Sequence, residues 1–171
     1  MCAKLDSGFT LLEFLVTMTV IGIMITIGIP SFLNIITKHQ LKGATETIYA
    51  DLQLARMEAI KRNRNISLSF QITDTPGWCY AMHDDSDCDC NIENSCKIEG
   101  ISSMVTHGND FDDVTLKTNF KKNSTSFNPI RGTSNSGSII LTLKQISSKL
   151  IVSSRGRIRV CSDDFLDYPL C

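Results

Sequence analysis

Between Phe14 and Thr37 the chain carries 24 consecutive residues without a charged side chain, and no other stretch of its 171 residues is like it. At about 1.5 Å of rise per residue such a helix would be roughly 36 Å long, enough to cross a hydrocarbon core of about 30 Å. A single run of this kind supplies one anchor and excludes a multi-span transporter or channel. The remainder of the chain is polar and long enough for one small core. A content of 42% hydrophobic and 20% charged residues with a net charge of −1 argues against disorder or a repeat array.

The start of the chain is unlike a secretory signal. Residues 1 to 8 form a short polar leader with Lys4 and Asp6, and the apolar run opens at Phe9 and continues past Leu33 with no small-x-small cleavage site. Cys2 precedes the run, so it is not a lipoprotein cysteine. Glu13 is out of place, because a carboxylate in an apolar span costs about 2.5 to 3.5 kcal/mol and needs a partner or an edge position. A cut between Gly8 and Phe9 would create a cationic amine one helical turn away from Glu13.

Gly8-Phe9-Thr10-Leu11-Leu12-Glu13, with the hydrophobic run and Pro30 behind it, resembles the class III signal of type IV pilins and pseudopilins. That resemblance implies cleavage after Gly8 by a prepilin peptidase, methylation of Phe9, and a role for Glu13 in assembly with other pilin subunits. It also implies a single pass through the bacterial inner membrane, with the C-terminal domain in the periplasm before incorporation into a pilus filament. Phe14 and Thr17 depart from the commoner residues of that signal.

Beyond Pro30, a residue expected to kink the helix, the residues Leu41, Ala44, Ile48, Leu52, Ala55 and Ala59 recur every three or four positions. They form the packing face of an amphipathic helix, with Lys61, Arg62 and Arg64 as cations at its negative end. After Asn65 the period changes to two. Short antiparallel strands are predicted at 66–70, 78–80, 114–116, 139–143, 150–152 and 157–160, with turns at Gly77, Gly108, Gly132, Gly137 and Gly156. The predicted fold is α+β: a leader (1–8), a membrane or filament-core helix (9–37), and an amphipathic helix with a β-rich domain (38–171). Residues 52–63 resemble the helix end of GspH and FimT-type minor pilins, and Phe127-Asn128-Pro129 with Gly132 is a weaker echo of that group.

Seven cysteines become six once the leader is gone, and an even number beyond a membrane suggests disulfides. Fifteen pairings are open; Cys161 with Cys171 would close the tail, and Cys79, Cys88, Cys90 and Cys96 share one loop. Cys88-Asp89-Cys90 is too tight for a zinc knuckle. Asp85, Asp87 and Asp89 imitate the start of a calcium loop, but Cys90 and Cys96 stand where glycine and a bidentate glutamate are required. No metal or other cofactor is expected, and no catalytic motif appears, so the chain is not read as an enzyme. His39, His83 and His107 read as surface residues.

Charge is segregated: residues 74–113 hold ten acidic side chains and one basic, Lys97, whereas 114–160 hold nine basic side chains and no acid. The bases either offset the acidic loop within the fold or meet a polyanion. In an extended segment Arg155, Arg157 and Arg159 would share one side opposite Ile158, and Gly156 would leave their approach open. Gly156-Arg157-Ile158-Arg159 resembles the Gly-Arg-x-Arg motif of FimT minor pilins. That implies binding of double-stranded DNA during natural transformation through Gly156, Arg157 and Arg159, to which the neighbouring cations Arg155 and Lys149 are added; nothing there offers a recognition helix, so binding is expected to be nearly independent of sequence. The alternative is a structural GspH-like pseudopilin of a type II secretion system with no role in DNA binding.

Overall fold

The computed structural model describes residues 10–73, 77–84, 88–103 and 105–171, with the side chains of 27–31 excepted. Leader residues 1–8, Phe9, Asp85 and Asp87 lie outside that set, as does the side chain of Pro30, where a kink is expected from sequence. One helix, α1 (Leu11–Arg62), opens the molecule. The chain divides into two compact units, Met1–Thr37 and Lys38–Cys171.

In the first unit the amide of Glu13 donates to Thr10 Oγ1 at 3.3 Å, a side-chain cap at the helix start. Among the described residues the Glu13 carboxylate has no partner. The threonines inside the apolar run bond to their own helix: Thr17, Thr19 and Thr26 donate to Phe14, Val16 and Ile23 carbonyls, each at 2.8 Å. Their hydroxyls are thereby satisfied without water, so they are compatible with an apolar setting. Among the described residues, whose side chains break at 27–31, no helix is long and apolar enough to cross a membrane.

The second unit carries the core. Leu41, Ala44, Ile48, Leu52, Ala55 and Ala59 are all completely buried, as the helical stripe requires. Two four-stranded antiparallel sheets share that core. The first consists of β1 (Ile66–Thr73), β2 (Gly77–His83), β5 (Val105–His107) and β7 (Ser124–Phe127), in the order β5-β2-β1-β7. The second consists of β6 (Thr115–Thr118), β8 (Gly137–Leu143), β9 (Ile146–Val152) and β10 (Ile158–Cys161), in the order β10-β9-β8-β6. A small hairpin joins β3 (Lys97–Ile98) to β4 (Ile101–Ser102). Phe70, Tyr80 and Phe127 from the first sheet and Leu141, Leu150 and Val152 from the second belong to one apolar cluster with the helix stripe. Within it Thr45 donates to the Leu41 carbonyl at 2.7 Å, so Ser148 must donate to Thr45 across their 2.6 Å contact.

The helix ends at Asn63, whose positive φ of 52° is a left-handed cap. The cations there do more than meet a helix dipole. Arg62 bridges Glu58 and Glu99, each at 2.5 Å, and Arg64 lies 3.5 Å from Asp84, so the β3–β4 hairpin is fastened to the helix end. Two of the expected turn glycines lie in strands, Gly77 opening β2 and Gly137 opening β8. A Cβ at Gly137 would stand 2.2 Å from the Phe120 ring, so close packing rather than a turn requires glycine there.

Candidate nucleic-acid interface

Disulfides join Cys79 to Cys90, Cys88 to Cys96 and Cys161 to Cys171. The first two brace the acidic loop, where Asp89 Oδ1 accepts from the amide and the side chain of Asn91 at 2.9 and 3.1 Å. Among the described residues no group of three His, Cys, Asp or Glu could hold a metal ion. His39 and His107 are exposed, but His83 is buried. It corrects the surface expectation: its Nε2 lies 2.7 Å from Ser69 Oγ on the neighbouring strand β1.

The arginine segment is built by Ser153. Its amide donates to the Arg157 carbonyl at 3.0 Å, while its hydroxyl donates to that same carbonyl at 3.2 Å and accepts from the Arg157 amide at 3.1 Å. Gly156 closes the turn by donating to the Ser153 carbonyl at 2.8 Å with a φ of 72°. Arg155 therefore sits at the tip of the β9–β10 turn and not in a continuous extended ridge. Alternation begins at Arg157: Arg157 and Arg159 are exposed on either side of buried Ile158.

Gly156 is itself buried, and its contact is with protein. A Cβ there would stand 1.8 Å from the carbonyl oxygen of Gly132, so the residue is needed for seating the turn and not for opening a path to a ligand. The seat is the 128–134 loop. Asn128 Oδ1 accepts from the Ile130 amide at 3.0 Å, and the Gly132 amide returns to the Asn128 carbonyl at 2.9 Å. Ser134 then clasps the arginine turn, its amide donating to Ser154 at 3.1 Å and its hydroxyl to Ser153 at 2.8 Å.

Strand register extends the cationic surface across the second sheet. Arg159 pairs with Ile151, Cys161 with Lys149, Lys149 with Ile140, and Ile140 with Lys117. Side chains alternate, so Lys117, Lys149 and Arg159 share the face opposite the buried Leu150 and Val152. Lys149 is half-buried and Lys117 exposed.

Ion pairing separates two populations of cations. Among the described residues, the pairs are made by Lys42, Lys61, Arg62 and Arg64. Lys117, Lys121, Lys122, Arg131, Lys149, Arg155, Arg157 and Arg159 make none. Two acids of the 74–113 stretch, Asp84 and Glu99, are met by the helix-end arginines rather than by C-terminal bases. One basic residue near the turn was given no role by sequence, Arg56 of α1, whose Nε is buried beneath Gly132 and Gly156. In sequence it is one of the charges between stripe positions, and only the fold reveals its neighbours.

The family profile described as Type II transport protein GspH matches residues 44–163, and the Prokaryotic N-terminal methylation motif matches residues 4–29. No curated protein matches the chain. Among solved structures, the type IV minor pilin FimU of Pseudomonas aeruginosa strain PAO1 in space group P21 is 22% identical with a TM-score of 0.54, over 75% of this chain and 92% of that one. The same protein in space group P65 is 22% identical with a TM-score of 0.51, over 73% and 95% of the two chains. The minor pseudopilin EpsH from the Type 2 Secretion System of Vibrio cholerae is 12% identical with a TM-score of 0.49, over 72% and 97%. The FimU likeness is one of fold.

Proposed function

The chain belongs to the GspH family and is a minor pilin or pseudopilin of a type IV pilus or type II secretion system, and from that premise we propose that it binds extracellular double-stranded DNA and supports uptake in natural transformation. Assembly with other pilin subunits is implied by the family. In this reading a prepilin peptidase removes residues 1–8 between Gly8 and Phe9, and residues 9–37 hold the subunit in the inner membrane until it enters a filament.

The observation that carries the DNA reading is that Arg155, Arg157 and Arg159, which the chain exposes on one turn and edge strand, make no ion pair among the described residues. Guanidinium groups with no carboxylate partner are available to phosphate oxygens, for which their forked donors are suited. The described fold offers no helix at this surface for the major groove, since 114–171 contain only strands, turns and a three-residue 3-10 segment. Backbone contacts alone carry no sequence information, so every duplex should bind alike.

The test is a gel shift with the full chain in uncharged detergent, across a salt series. Three phosphate contacts give a slope of log affinity against log salt of about −2.7, and converting Arg157 and Arg159 to Gln should flatten it by nearly two. Unaltered binding in that double variant, with transformation intact, overturns the reading and favours the structural pseudopilin.

A further inference from the structure

The tail closed by the Cys161–Cys171 disulfide carries the most exposed large apolar side chain among the described residues: Leu166 is fully exposed, although its neighbour Phe165 packs against the core. The loop does not hang free. Lys42 donates to Asp167 Oδ2 at 2.7 Å and lies 5.9 Å from the centre of the Tyr168 ring, and Tyr168 donates to Glu46 Oε1 at 3.4 Å. The Phe165 and Tyr168 rings meet edge to face at 5.7 Å. Leu166 is thus held outward by residues on both sides of it that are fastened to the fold.

The place where it is held is specific. Leu166 lines a cavity of about 250 Å³ together with Phe165, Asp167 and, from α1, Lys38, His39 and Lys42. Lys38 is the first charged residue after the uncharged run 14–37. The exposed leucine therefore stands beside the first helical turn beyond that run. The carboxylates of the loop are engaged within the protein: Asp167 by Lys42, Asp164 Oδ2 by the Ser147 amide at 2.7 Å, and Asp163 Oδ1 by the Cys171 amide at 3.3 Å. Lys38 and His39, by contrast, are exposed and make no ion pair among the described residues. What the cavity rim offers outward is an apolar side chain beside an unmet cation.

We propose that the tail loop docks on the surface of the lipid bilayer that holds the apolar run, with Leu166 entering the boundary between acyl chains and headgroups and Lys38 and His39 facing lipid phosphates. A bilayer interface suits this set, since it takes an apolar side chain flanked by aromatic rings while cations on flexible stems reach the phosphates. The inference rests on the reading that residues 9–37 hold the subunit in the membrane before assembly. It adds a second lipid contact, made by the other end of the chain, which must be released when the subunit enters a filament.

The test is methyl nuclear magnetic resonance on the full native chain in nanodiscs of phosphatidylethanolamine and phosphatidylglycerol, with a nitroxide-bearing lipid in one arm and a soluble gadolinium chelate in the other. Ile21 reports on the apolar run, and Ile101 is the solvent control, since it is 71% exposed on the β3–β4 hairpin that Glu99 fastens to Arg62. Arg62 lies 20 residues beyond Lys42 on the same helix, about 30 Å away. The Leu166 methyls should be broadened by the lipid nitroxide and protected from gadolinium, whereas Ile101 should show the reverse. Lipid broadening at Ile21 with Leu166 behaving like Ile101 overturns the docking and leaves the membrane reading intact. No lipid broadening at either Ile21 or Leu166 refutes the membrane reading and the docking with it. Protection of Leu166 from gadolinium without lipid broadening assigns the face to a second copy of the chain and likewise overturns the lipid contact.

Discussion

Gly156 and Gly132 are in direct contact through the space a side chain would occupy, the added Cβ of the first falling 1.8 Å from the carbonyl oxygen of the second. Gly156→Ala must therefore displace backbone, and its φ of 72° adds a left-handed penalty of about 1 to 2 kcal/mol. We expect a loss of at least about 2 kcal/mol by thermal melting, together with weaker DNA binding although every arginine remains. Gly100 is the control: its φ is 78° but nothing lies within 4 Å of an added Cβ, so Gly100→Ala should cost about 1 kcal/mol. Equal melting temperatures for the two variants would contradict the packing account.

The C-terminal tail should respond to pH at both extremes. Lys42 donates to Asp167 Oδ2 at 2.7 Å, and this hydrogen bond holds the Asp167 carboxyl below its ordinary 3.8 and the Lys42 ammonium above its ordinary 10.5. A depressed acid contributes above its unfolded value and is lost as pH falls through its folded one. A raised base contributes below its unfolded value and is lost as pH rises through its folded one. The tail should thus stay docked between about pH 4 and 10 and loosen outside that window. Tyr168, whose hydroxyl reaches Glu46, is the reporter for resonance shifts against pH. Asp167→Asn should remove the acid limb, and an acid limb that persists in it would rule out this pair as its origin.

All six cysteines of the 38–171 unit are paired, so native protein should resist alkylation. Replacing Cys161 and Cys171 together by Ser opens a loop of sequence separation 10. The chain-entropy cost is about 2.5 to 3 kcal/mol. The loss should appear in the melting temperature and in release of the Lys42–Asp167 pair. A free thiol at any of these six positions in native protein would refute the pairing, whereas Cys2 of the leader does not count.

For assembly, mass spectrometry of filament-borne protein should begin at Phe9, with a methylated amine. Glu13→Ala should leave the melting of the 38–171 unit unchanged yet abolish filament incorporation, because a carboxylate in an apolar setting is tolerated only opposite a cation. Normal incorporation of that variant would dismiss the pairing of Glu13 with a neighbour's amine.

The helix and its buried face were legible because a stripe every three or four residues has few alternative explanations, and Leu41 through Ala59 are all buried as that pattern requires. Strand β1 declared itself through the alternation of 66–70 and most of β8 through 139–143, whereas of β9 only 150–152 was expected. Strands β3, β4 and β5, of two or three residues each, are too short to show a period. The site was legible in composition and not in geometry. That Arg155 belongs to a turn depends on the double use of one serine hydroxyl, and that Arg62 and Arg64 take the acidic partners depends on a hairpin folding back from a distant part of the chain. Arg56 had no local signal, since its neighbours Gly132 and Gly156 come from elsewhere in the chain.

Strand β10 has a strand partner on one side only, being the last in its sheet. Such a border is a template for another chain's backbone, and charged side chains along it discourage that pairing. In a filament, where identical subunits are crowded at fixed spacing, Arg157 and Arg159 would then act as a mutual repellent between copies as well as a lure for polyanions. Neutralising them has two opposite effects on what is retained on a gel, a weaker hold on nucleic acid and a stickier protein. Sedimentation of the double variant therefore belongs beside its binding curve, so that clustering is not mistaken for affinity.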